Sequence, residues 1–299
     1  MTVDLPAAAA FLAGHGRVLD RRRFDLLTGS GTANAVIAAV DGYRNADGGY
    51  GWGLEPDLRS GTSQPGGALH ALEAFADLAP ATTPRAAQVC DWLASVTLPD
   101  GGLPFALPVP DPAACAPFWV QTDPTASSLQ ITGVVAATAY RVASFDPAVA
   151  GHPWLARATA FCLGALRELE DSVHAMELAF AVQFLDAVGR ADGRAADEAR
   201  SLLDRMGPLI PADGLLHVAG GAADEFMRPL DFAPFPGGPA RELFAPAVVE
   251  AELDRLAAGQ QDDGGWTVDF DSWSPAATLE WRGHRTVGAL VLLRANGRL

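Results

Sequence analysis

The stretch QQDDGGWTVDFDSWSP, residues 260–275, packs a Gly pair, two Trp and four Asp into sixteen positions. Two interpretations compete: a catalytic box, or the turn between stacked helices. The rest of the chain separates them. Asp-Gly pairs recur in NADGGYGWG (45–53), LPDGGLPF (98–105), PADGLLHV (211–218) and QDDGGWTV (261–268). The Asp before the first Gly is Asp47, Asp100, Asp213 and Asp263. The outer two gaps are nearly equal and the middle one is about twice as long, as if one copy had lost its signature. A period of this size signals stacked supersecondary units.

The segments between the pairs have helical periodicity. Residues 84–97 place Val89, Trp92, Leu93 and Val96 on one stripe, with Pro84 suited to a helix start. Residues 246–258 repeat this with Val249, Leu253 and Leu256 behind Pro246. The segments 125–140 and 174–188 are instead apolar nearly all round, which implies burial on every side. β-branched alternation is rare. About eleven helices are expected, near 5–20, 31–44, 65–78, 84–97, 124–143, 152–168, 171–189, 194–207, 225–230, 246–259 and 275–295. The fold class expected is all-α, one domain over 1–299, with amphipathic outer and apolar inner helices in two concentric rings. Pro- and aromatic-rich loops at 103–123 and 229–245 are expected at the rim.

Composition bounds the partners. The formal charge of −15 argues against nucleic acid or an anionic membrane surface as the main partner. No apolar run is long enough to span a membrane. The N-terminus lacks the basic region of a signal peptide. Cys90, Cys115 and Cys162 stand far apart with no metal spacing, which suits free thiols in a reducing compartment. A cytoplasmic protein is expected.

The stretch QQDDGGW resembles the glutamine–tryptophan repeat of terpenoid cyclases, and NADGGYGWG and LPDGGLPF look like degenerate copies. The chain thus resembles the terpenoid cyclase and protein prenyltransferase superfamily. The resemblance implies a single α/α toroid. It also implies that Gln260 or Gln261 braces a neighbouring helix end, that Gly264 and Gly265 turn the chain and that Trp266 packs. The superfamily's reaction motifs are incomplete. The acid motif DxDD has its nearest counterpart in Asp269-Phe270-Asp271-Ser272, one carboxylate short. The magnesium motif DDxxD is absent after Asp262-Asp263, and the zinc Cys expected after Asp47-Gly48-Gly49-Tyr50 is missing. No metal and no cofactor are therefore expected.

Two clusters are candidates for chemistry. In GLEPDLR (53–59), Glu55, Asp57 and Arg59 alternate after Trp52. A buried Glu55 would make a general acid and Asp57–Arg59 an ion pair; the plainer alternative is a solvated loop. The second cluster is Asp269, Phe270, Asp271, Trp273, Glu280, Trp281, Arg282 and His284. If extended, 269–273 would place Asp269, Asp271 and Trp273 on one side. On the helix opened by Ser274 and Pro275, Glu280 could pair with His284, and Trp281 with Arg285. The pairs His70–Glu73 and His174–Glu177 read as core histidines on inner helices. Asp123 or Thr122 is expected to cap the helix after Pro124. Trp119 and Phe232 join the aromatics expected to line an apolar pocket.

Three functions fit. One is acid-initiated cyclisation of an isoprenoid or similar apolar chain, with Glu55, Asp57, Asp269, Asp271 or Glu280 as the acid. Trp52, Arg59, Trp119, Phe232, Phe270, Trp273, Trp281 and His284 would then contact the substrate. The second is a non-catalytic toroid that binds an apolar small molecule or a partner protein. The third is a two-carboxylate carbohydrate enzyme.

Overall fold

The computed structural model describes residues 3–169 and 173–299. In chain order the helices are α1 (Leu5–His15), α2 (Val18–Leu27), α3 (Ala33–Val40), α4 (Pro65–Ala76), α5 (Pro84–Val96), α6 (Pro117–Val120), α7 (Leu129–Ala143), α8 (Pro147–Ala150), α9 (Pro153–Arg167), α10 (Ala175–Gly189), α11 (Arg194–Met206), α12 (Pro229–Phe232), α13 (Pro246–Ala258) and α14 (Pro275–Ala295). Strands among the described residues are two-residue antiparallel pairs: Leu103–Pro104 with Ser127–Ser128, and Leu216–His217 with Phe226–Met227. The protein is mostly helical, and no described helix is long and apolar enough to cross a membrane.

The chain divides into two compact units: Met1–Gly31 with Asp171–Leu299, and Thr32–Glu170. In the first, α1 and α2 pack on α14, α13 packs on α12 and α14, and α10 lies against α11 and α12. In the second, α4 packs on α3, α5 and α7, and α7 on α8 and α9. The core of the second unit is the α4–α7 contact, where Ala68, Ala71, Leu72, Phe75, Val135, Ala136 and Ala139 are buried. Small residues let the two helices approach closely.

Three expected helices need correction. The one placed at 225–230 is instead the short strand Phe226–Met227, followed by α12. The first helix is not continuous over 5–20. Gly16 leaves the helical conformation, and a Cβ there would press on Leu12. The Arg21–Arg23 run lies inside α2, and Arg23 is buried. The helix placed at 124–143 starts at Leu129. Ser128 caps it by accepting from the Ile131 N–H, while Asp123 closes a local turn with Thr125. The bracketing of 275–295 holds: Pro275 opens α14 and Ser274 caps it from the Ala277 N–H.

The Asp-Gly stretches are turns of one design. The first Gly has positive φ in each: Gly48 at 93°, Gly101 at 101°, Gly214 at 74° and Gly264 at 91°. That left-handed conformation suits Gly. The Asp carboxylate accepts from the backbone N–H two residues on: Asp47 from Gly49, Asp100 from Gly102, Asp213 from Leu215 and Asp263 from Gly265, at 3.0–3.1 Å. In three turns the same oxygen also takes a side-chain donor from later in the chain: Ser63 just ahead of α4 at 2.8 Å, Ser127 at 2.7 Å and Arg282 within α14 at 2.8 Å. Midway between Asp100 and Asp213, where a further copy would fall by spacing, the chain is helical, inside α9.

The first half of 260–275 is therefore structural. Gln260 accepts from the Asp4 N–H and donates to the Asp4 and Gly264 carbonyls. It ties the turn to the residue that caps α1. Trp266 is buried and donates through Nε1 to the Leu256 carbonyl at 2.7 Å.

Candidate functional site

In the second unit, the loop between α3 and α4 delivers the site. Its ends are fixed by backbone hydrogen bonds from Gln64 to Tyr50 (2.9 Å) and from Trp52 to Ser60 (2.7 Å). Gln64 also grips Leu107 through both amide atoms. Gly67 allows α4 to approach, since a Cβ there would collide with the Tyr50 carbonyl. Between these ends, residues 53–58 turn inward and are buried. A solvated loop is thereby ruled out for Glu55 and Asp57.

Glu55 meets α4 at His70. Its Oε2 lies 2.8 Å from His70 Nε2, and the other ring nitrogen, Nδ1, lies 2.8 Å from Glu73 Oε2. Glu55 Oε1 accepts from the Asp57 N–H at 3.0 Å. Burial works to push the His70 imidazole down. The charges of Glu73 and Glu55 and the hydrogen bonds to both outweigh it and lift the ring to about 9. Both ring nitrogens are engaged by carboxylates.

Trp119 lies on the far side of Gly66 from Glu55. Gly66 stands between them: a Cβ there would touch the indole edge at 3.4 Å and the Glu55 Cγ at 3.5 Å. Phe105 stacks on Trp119 with ring centroids 4.7 Å apart, and Phe118 lies tilted against it at 5.6 Å. The Trp119 Nε1 is buried without a hydrogen-bond partner. Asp57 accepts from the Ala116 N–H through its carbonyl, which ties the Trp119 loop to the Glu55 loop. Arg59 lies along Gly53. Trp52 stands outside this group. It is 61% exposed, has φ of 57° and donates from Nε1 to Asn45.

The other candidates belong to the first unit. Asp269 is exposed and faces Arg228 at 3.8 Å; Asp271 and Trp273 are also exposed. Residues 267–274 form no strand, so the expected one-sided alternation does not arise. Phe270 meets Trp281 edge-on, and Trp281 meets His284 the same way. His284 Nδ1 lies 3.5 Å from the Arg23 guanidinium. Arg23 is close to Asp20, a fully buried carboxylate. Burial works to raise Asp20, but Arg17, with lesser help from His284 and Arg23, holds it below the usual carboxylate range. Glu280 is half-buried on α14. A cation–π contact not expected from the sequence sets Arg282 4.5 Å over the Phe11 ring. Phe232 is a core residue against Phe244. His174 is an exposed residue at the start of α10, bonded to the Ala219 carbonyl, and not a core histidine.

Sequence reasoning weighed Glu55 and His70 apart. They are fifteen positions distant, and only the loop's inward path joins them. The signal that could have found the triad is the His70–Glu73 spacing on a helix otherwise made of small and apolar residues.

No protein-family model and no curated protein matches the chain. Among solved structures it is similar to the crystal structure of a protein from Actinoplanes. Identity is 15%, the TM-score is 0.55 and 98% of each chain is covered. At that identity the likeness concerns the fold alone.

Proposed function

We propose that the protein is a terpenoid cyclase-like enzyme of the cytoplasm, built as a single α/α toroid, which exchanges a proton with an isoprenoid or similar apolar chain at Glu55. The observation that carries this reading is the seating of Glu55: withdrawn from water, bonded to His70 and separated from Trp119 by Gly66 alone. A positioned carboxyl–imidazole pair is suited to general acid–base work. The neighbouring indole can stabilise positive charge on a hydrocarbon, and exclusion of water protects such an intermediate. The reading moves the acid away from Asp269 and Asp271, which face solvent.

The test is incubation with prenyl substrates of several lengths, with and without magnesium, followed by product analysis. Cyclised product from wild type, reduced about a hundredfold or more in Glu55→Gln, supports the proposal. Absence of product from every substrate sinks it. One observation favours a non-catalytic toroid that binds an apolar molecule: Glu55 is hydrogen-bonded on both oxygens, as a structural brace would be. Unchanged binding of a prenyl alcohol by Glu55→Gln, with no turnover in wild type, would select that alternative.

A further inference from the structure

The two carboxylates of the triad differ in access to solvent. The Glu55 side chain is 6% exposed and that of Glu73 is 24% exposed, with the His70 ring between them. Each ring nitrogen lies 2.8 Å from one carboxylate oxygen. A neutral imidazole carries one N–H and one lone pair, so it can donate to one of two ionised carboxylates. Donation to both at this distance requires the imidazolium.

We propose that Glu73 is a positioning residue: it commits His70 to the doubly protonated form, which holds Glu55 as a carboxylate, closes its Oε2 and leaves Oε1 as the oxygen that takes the proton released by the bound chain. The assignment rests on the reading of Glu55 as the group that meets substrate. Oε1 already accepts one hydrogen bond, from the Asp57 N–H at 3.0 Å. A carboxylate oxygen has a second lone pair, so Oε1 can still accept a proton. Oε2 faces an N–H that cannot accept a proton. Two of the groups that act on the ring charge are Glu73, on its own helix, and Glu55, from the loop ahead of that helix. Glu73 sits one helical turn beyond His70, where the i, i+3 spacing presents its carboxylate to Nδ1. It acts on Glu55 through the ring.

The test reads the ring directly and needs no turnover. Protein labelled with ¹⁵N-histidine gives two-bond ¹H–¹⁵N spectra, and the His70 signal is the one lost in His70→Gln. In wild type at about pH 8 both ring nitrogens carry a proton. In Glu73→Gln, which keeps the hydrogen bond and removes the charge, the deprotonation midpoint falls by about one pH unit or more, roughly a tenfold change in the neutral-to-charged ratio. Glu73→Asp restores at least half of that shift. A midpoint unchanged in Glu73→Gln overturns the assignment, as does a wild-type ring with a single N–H at about pH 8, whether or not the variants fold. These outcomes stand apart from the product analysis: a confirmed imidazolium with no product from any prenyl chain would leave the clamp and discard the cyclase.

Discussion

His70 is the residue whose ionisation has the largest predictable consequence. Its ring is lifted from 6.5 to about 9 in the folded protein, so folding favours the charged form. The resulting stabilisation is complete below the unfolded value and disappears as pH rises through 9. It amounts to roughly 3 kcal/mol, from the shift at 1.36 kcal/mol per unit. Urea midpoints should therefore fall between about pH 6.5 and 9.5 in wild type, with a flatter profile in His70→Gln. Equal slopes in both proteins would count against the ion triad. The same residue shows why part of the site was illegible. The sequence analysis treats His70 as a core histidine and GLEPDLR as a possible surface loop, since charged residues usually face water. Burial of that loop depends on Gln64 gripping Leu107 and on Gly67 admitting the Tyr50 carbonyl. Neither contact has a local signature.

The turns and the helices they feed show a rule that repeats between distant segments. Thr132 donates to the Ser128 carbonyl and accepts from the Leu103 N–H, just after its Gly pair. Thr286 donates to the Arg282 carbonyl and accepts from the Trp266 N–H, at the same place after its own pair. Each hydroxyl satisfies a buried backbone donor that leaves the turn. Thr286→Val should therefore strand the Trp266 N–H and lower stability by about 1–3 kcal/mol, with Thr132→Val similar; chemical unfolding checks both. Gln260→Ala should loosen the Asp4 tie at a cost of about 1 kcal/mol, seen as faster amide exchange in α1 with little change in α10. Most helix boundaries were legible because Pro opens them and turn residues precede them, both local effects. The break at Gly16 was missed, since one Gly in an apolar run is compatible with a continuous helix. The clustering of 269–273 also failed. Its alternation resembles a strand, but no neighbouring strand is there to pair with it.

At the scale of the whole chain, the acidic balance is a physical property independent of the site. A formal charge of −15 repels itself across a structure of this size. Salt screens that repulsion, so the thermal midpoint should rise by about a few degrees between low salt and about 0.5 M NaCl. A fall would show that attractive pairs such as Arg85–Asp41 and Arg17–Asp20 dominate. The all-α class was legible from periodicity. The division into two compact units was not, because no linker composition marks Gly31 or Glu170.

That division also sets an order of assembly during translation. Helices α3 to α9 are contiguous, so a ribosome that has released α9 has supplied every helix of their unit. Helices α1 and α2 precede that unit in the chain, whereas their partner α14 follows it. Phe11 therefore gains its Arg282 neighbour only after the whole intervening unit has been synthesised, so the discontinuous unit can close only behind the contiguous one.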